Sequence, residues 1–166
     1  MNYSGNDTPG LKPGQPAPVF HVNNQYGESV SLHTLFTHPY TGNSLDGLLL
    51  VFYPYAFTNV CTGELKELQE YLPQFEQAGI RVAAISMDSS YALKEFAHQH
   101  GFEFDLLSDF WPHGHVAKQY GVLDSGLGVS WRISFLIGSD GLIRERFAAT
   151  MDQPRPMTDY LTAINL

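Results

Sequence analysis

Cysteine is almost missing: Cys61 is the only one in 166 residues. A lone thiol closes no intrachain disulfide, which excludes a disulfide scaffold, and it fits a reducing compartment. Cations are scarce too. Lys and Arg number 9 against 17 Asp and Glu, a net charge of −8. An acidic chain repels phosphate backbones and anionic lipid, so neither nucleic acid nor membrane is an expected partner. Lys12 is the only cation before Cys61, so an Arg beside that thiol must come from later in the chain. Charged residues of both signs make up only 16%, below the usual ~25%, which points to a subunit interface. Long apolar runs are lacking. The longest, Leu48 to Tyr53, stops at Pro54, whereas a membrane span needs about 20 residues. The first residues hold no basic stretch followed by an apolar one, unlike a secretory leader, and a cytoplasmic location is expected.

Apolar residues are nevertheless plentiful, at 43%, with aromatics at 13%, so the chain has material for a packed core. The length suits one domain, taken as residues 11–166 behind a flexible Gly/Pro-rich extension at 1–10. Val19, Phe20 and Val22, then Val30 and Leu32, predict a short β-hairpin. Residues 37–47 read as a surface loop. Leu48 to Tyr53 is continuously apolar, as in a strand buried on both faces. Leu65, Leu68, Leu72 and Phe75 alternate spacings of three and four, one face of a helix that Pro73 should kink. A strand at 81–86, a helix at 89–100, a strand at 104–107 and a helix at 111–120 follow. Two strands flank Gly138-Ser-Asp-Gly141, and a helix at 156–164 ends the chain. This alternation predicts an α/β fold, a thioredoxin-like central mixed β-sheet flanked by helices with an N-terminal β-hairpin.

Cys61 lies where the buried strand gives way to the amphipathic helix. Ligands of open α/β sheets bind beyond the carboxyl ends of the strands, and unpaired N–H groups at a helix start favour an anion such as a thiolate. A buried structural cysteine fits the same position, and Thr58 alone fits a plain helix cap. The fourth residue of the would-be Cys-x-x-Cys is Glu64, which excludes dithiol exchange within the chain.

Pro54-x-x-x-Thr58-x-x-Cys61 resembles the peroxiredoxin active-site motif. The stretch from Phe52 to Leu65 is most similar to the AhpE-like one-Cys peroxiredoxins of the alkyl hydroperoxide reductase/thiol-specific antioxidant family. The likeness extends to Leu11–Phe20, Leu107–Gly114, Tyr120-Gly-Val122, Trp131–Phe135 and Asp140–Arg144, and so covers about residues 11–164. It implies a thiol-dependent peroxidase reducing hydrogen peroxide, organic hydroperoxides or peroxynitrite. Cys61 would be the peroxidatic nucleophile and become a sulfenic acid. Thr58 would hydrogen-bond the peroxide, Pro54 would shield the thiolate from water, and Arg132 would stabilise thiolate and peroxide oxygens. Glu64 matches a position near the site without a catalytic role. Without the resemblance, Arg132, Arg144, Arg146 and Arg155 are equivalent candidates for surface ion pairs.

No second cysteine is available to resolve the sulfenic acid, so the implied reductant is an external thiol: thioredoxin, a glutaredoxin-like protein or a low-molecular-weight thiol. A homodimer built around loops near the site is also implied. No cofactor and no metal are expected, because His113-Gly-His115 lacks the Cys or carboxylate company of a zinc site. The alternative on the same scaffold is a peroxide sensor that relays its oxidation to a partner. Residue 133 is Ile where the family often has a small side chain, and 1–10 and 37–47 read as additions. Gly126-Leu-Gly128 reads as a flexible link, and Trp111 and Trp131 as core or interface residues.

Overall fold

The computed structural model describes residues 8–164. A hairpin of β1 (His21–Asn24) and β2 (Ser29–Ser31) comes first, then β3 (Gly47–Phe52). Helices α1 (Asn59–Glu70) and α2 (Leu72–Gln77) lead to β4 (Ile80–Ser86), α3 (Ser90–His100) and β5 (Asp105–Ser108). Then come α4 (His115–Gln119), β6 (Leu123–Asp124), β7 (Val129–Ser130), β8 (Arg132–Gly138), β9 (Ile143–Ala149) and α5 (Met157–Ala163). Seven strands form one sheet in the order β2-β1-β5-β4-β3-β8-β9. The β5-β4-β3 centre is parallel, and β1, β8 and β9 add antiparallel edges. This is the mixed α/β, thioredoxin-like sheet expected from the order of elements.

The apolar run of β3 is continuous because both faces of the strand are covered. Leu49, Val51 and Tyr53 pack into one cluster with α1, α2, α3 and α5. Leu48, Leu50 and Phe52 pack into the other, with α4 and the chain around Phe20 and Leu35. The long helix after Cys61 is interrupted at Tyr71, and Pro73, which has no N–H to give to the preceding turn, opens α2. Helix α3 is bounded as its sequence dictates: the Ser89 hydroxyl accepts from the Ala92 N–H at 3.2 Å, and Gly101 closes it at φ 69°.

Two local expectations are corrected. The helix read over 111–120 begins only at His115, because the buried Asp109 carboxylate accepts from the N–H groups of Val116 (3.0 Å) and Ala117 (2.9 Å) and so fixes the first turn there. Gly126-Leu-Gly128 is not a flexible link. It is the turn of the β6–β7 hairpin, with the Asp124 carboxylate accepting from the N–H groups of Gly126 and Leu127. Of the two tryptophans read as core or interface residues, Trp111 is 83% exposed and Trp131 is partly buried against the second cluster.

Residues 1–7 of the expected extension lie outside the described residues. Thr8, Pro9 and Gly10 offer their carbonyls to the Arg146 guanidinium. Among the described residues, no helix is long and apolar enough to cross a membrane.

Candidate active site

Strand β3 delivers the chain to the carboxyl edge of the sheet at Phe52, and α1 starts seven residues later at Asn59. Thr58 is the N-cap and Cys61 the third residue of the helix. Strand β8 runs antiparallel to β3 with Ser134 opposite Val51. Its first residue, Arg132, is therefore set beside the end of β3. The sheet register thus brings together two residues that are 71 positions apart in sequence.

Cys61 is fully buried. Arg132 Nη2 donates to its Sγ at 3.2 Å, Nη1 donates to Glu64 Oε1 at 2.7 Å, and Nε donates to the Met151 carbonyl at 2.7 Å. Three of the five guanidinium N–H groups are thereby used and the plane is fixed. Glu64 is shared with a second buried cation. Arg155 donates from its backbone N (2.7 Å) and Nε (2.9 Å) to Glu64 Oε2, and from Nη2 (2.8 Å) to Oε1. Its Nη1 reaches the Phe52 carbonyl at 2.7 Å and the Ser134 hydroxyl at 3.0 Å. Ser134 Oγ in turn pairs with the Tyr160 hydroxyl at 2.8 Å.

Burial pushes the Glu64 carboxyl up, but the charges and hydrogen bonds of Arg155 and the charge of Arg132 outweigh it and hold the group below its ordinary value. Burial pushes the Tyr53 phenol far above its ordinary range, so it stays neutral in the cluster it shares with Cys61. Two buried cations share one carboxylate, which leaves the cluster one positive charge in excess beside Sγ.

The structure brings the four residues expected at the site together, Arg132 bonding Cys61 and sharing a cleft with Thr58 and Pro54. Arg132, Thr58 and Pro54 line a cleft of about 270 Å³ with Tyr55, Val60, Leu127 and Met151 among its other walls. Thr58 is no ordinary cap. Its side chain accepts no helix N–H, and its hydroxyl instead donates to the Tyr55 carbonyl at 3.0 Å. Its lone pairs are left to accept from a ligand. Arg144 forms an exposed pair with Asp140, as a surface arginine should.

Arg155 was missed as a site residue. Its signal lay in Glu64, which shares the inward face of α1 with Cys61, Leu65 and Leu68. A carboxylate on that face requires buried cations. Among the described residues no group of three His, Cys, Asp or Glu could hold a metal ion.

Comparisons with known proteins agree with this geometry. The AhpC/TSA family matches residues 13–146. Alkyl hydroperoxide reductase E of Mycobacterium tuberculosis is 40% identical over 160 residues, covering 93% of this chain and 98% of that protein. Peroxiredoxin Bcp of Escherichia coli is 36% identical over 143 residues, covering 82% and 85%. Among solved structures, peroxidoxin BcpB of Mycobacterium tuberculosis superposes with a TM-score of 0.78 at 27% identity, over 93% of this chain and 95% of that one. With its single cysteine at the start of α1, this chain belongs to the AhpC/TSA family as a one-cysteine peroxiredoxin.

Proposed function

We propose that the chain is a thiol-dependent peroxidase in which Cys61, Thr58, Arg132 and Pro54 carry the reaction with peroxide. The observation that carries the assignment is the Arg132 guanidinium, 3.2 Å from Cys61 Sγ and fixed by Glu64 and Met151. The thiolate attacks one peroxide oxygen in line with the O–O bond. The S–O bond forms as O–O breaks, and the electron pair leaves on the distal oxygen, which takes a proton to become water or an alcohol. Sulfur becomes a sulfenic acid. Arg132 faces both the sulfur and the cleft, where its remaining N–H groups stabilise charge on the peroxide oxygens. Thr58 accepts the peroxide O–H, and Pro54 keeps water from the sulfur. The mainly apolar cleft walls, Tyr55, Val60, Leu127 and Met151, accommodate the organic part of a hydroperoxide.

Two equivalents of an external thiol return the sulfenic acid to the thiol and leave as a disulfide, with water as the other product. The working unit is a homodimer in the cytoplasm. Exposed Tyr55, Phe57, Phe110, Trp111 and Leu127 support the first part, since a second copy could cover these large side chains. A lone thiol supports the second.

The test is single-turnover mixing of the reduced protein with one equivalent of peroxide, followed by intact mass, beside Cys61→Ser. Fast gain of one oxygen by the parent and none by the variant is expected. Oxidation of the parent no faster than a free thiol overturns the proposal.

A further inference from the structure

The loop between β3 and α1 is held from below by a carboxylate that takes no part in the chemistry described above. Asp88 Oδ2 accepts from the Ala56 N–H at 2.9 Å. The same oxygen accepts from the Ser86 hydroxyl at 2.7 Å, and the Asp88 carbonyl accepts from the Ser108 hydroxyl at 2.6 Å. Ser86 and Ser108 are the last residues of β4 and β5, so Asp88 is braced on the ends of two paired strands, its carboxylate by Ser86 and its backbone carbonyl by Ser108. It also precedes Ser89, the N-cap of α3, where a negative charge is favoured.

The Ala56 N–H belongs to the same planar unit as the Tyr55 C=O, and in a trans peptide the two point in opposite directions. Asp88 grips one side of that plane, and on the other side the Tyr55 carbonyl receives the Thr58 hydroxyl proton at 3.0 Å. The direction of the Thr58 O–H, and hence of its lone pairs, follows the tilt of a peptide that Asp88 sets. The loop needs such a grip. Phe57, next in sequence, sits at φ 69°, a left-handed conformation that strains a bulky residue. Its ring is retained by Phe96, with centroids 4.9 Å apart.

We infer that Asp88 is a positioning residue for peroxide reduction, acting through the Tyr55–Ala56 peptide to aim the Thr58 hydroxyl. The inference rests on the reading of Thr58 as the peroxide acceptor. It is tested with the second-order rate constant for Cys61 oxidation by hydrogen peroxide, measured by rapid quench and mass on the full chain. The proteins compared are the parent, Thr58→Val, Asp88→Ala, Asp88→Asn and the Thr58→Val/Asp88→Ala double variant.

Asp88→Ala should slow oxidation by about tenfold. Asp88→Asn, whose amide oxygen still accepts from Ala56, should restore it to within about threefold of the parent. In the Thr58→Val background, Asp88→Ala should cost nothing further, a non-additivity that a merely structural role does not produce. A full additional loss in that background, or a parental rate for Asp88→Ala beside a slow Thr58→Val, overturns the inference alone. A parental rate for Thr58→Val overturns the reading beneath it. If circular dichroism shows Asp88→Ala to be unfolded, Ser86→Ala removes only the hydroxyl that steadies Oδ2. A loss of about threefold that vanishes with Thr58→Val then supports the relay, and an unchanged rate overturns it.

Discussion

The two ends of the central sheet each carry a cleft and an arginine, yet only one end is built for chemistry. At the carboxyl end of the parallel strands, Arg132 is 3% exposed and its guanidinium is held by a carboxylate, a carbonyl and the Cys61 sulfur. At the opposite end, a cleft of about 210 Å³ lies between Asp46, Ile80, Leu136 and Ile164. Its Arg144 side chain is 55% exposed and its ion pair is with Asp140. Water screens the second cation. The first is dehydrated and aimed, which is the condition under which a fixed donor stabilises charge that appears during a reaction. A cleft and a cation are common features of a surface, whereas a buried cation held by three partners with N–H groups to spare is not.

That contrast can be broken in four ways. The largest effect belongs to Glu64→Gln, which strips two buried guanidinium groups of their shared charge and should cost about 3–5 kcal/mol in urea unfolding. A loss below ~1 kcal/mol would mean that the cluster is far wetter than its burial indicates. Next, Arg132→Ala should slow Cys61 oxidation on the order of a hundredfold while Arg144→Ala leaves it at the parental rate. Equal rates would put the site's cation elsewhere.

Third is a pH dependence. The Glu64 carboxyl is held below its ordinary value in the folded protein, so the unfolded chain binds the proton more readily and Glu64 stabilises the fold at neutral pH. That contribution is complete above the ordinary carboxylate pKa of ~4.3 and is lost as pH falls through the lowered folded value. Unfolding free energy measured from pH 6 downward should therefore fall more steeply for the parent than for Glu64→Gln, and parallel curves would refute the linkage. Smallest, Asp140→Asn at the other end should change stability by no more than about 0.5 kcal/mol, because its pair with Arg144 is exposed.

Much of this molecule was legible before its structure, where one pattern meant one environment. The run Leu48–Tyr53 reads as a strand covered on both sides, and Gly138-Ser-Asp-Gly141 reads as a turn. The Cys61 helix was legible down to its interruption near Pro73. Other features were hidden for physical reasons. Strands β6 and β7 have two residues each, too short for any alternation to show. The start of α4 is decided by the Asp109 carboxylate, a contact reaching seven and eight residues ahead. Arg155 is one charged residue between two prolines, which looks like a surface loop, and only its tertiary partners reveal it as buried. Thr58 was readable as a residue type at the right spacing, but the destination of its hydroxyl proton was not. Asp88 carries no sequence signal of its role, since it acts through a backbone amide that any residue at position 56 except proline would offer.

The sequence separations within the site fix an order of construction. Cys61 lies 71 residues before Arg132, and Glu64 lies 91 residues before Arg155. Chains are synthesised from the amino terminus, so Cys61 leaves the ribosome long before either of the cations that pack around it exists. Until β8 has paired with β3 and the segment leading into α5 has docked, Cys61 is a thiol without its guanidinium, and Glu64 is an ordinary exposed carboxylate. The guanidinium surroundings of Cys61 are therefore a late property of the chain, conferred by its last quarter on a residue from its first half, and a nascent or truncated polypeptide carries the cysteine without them.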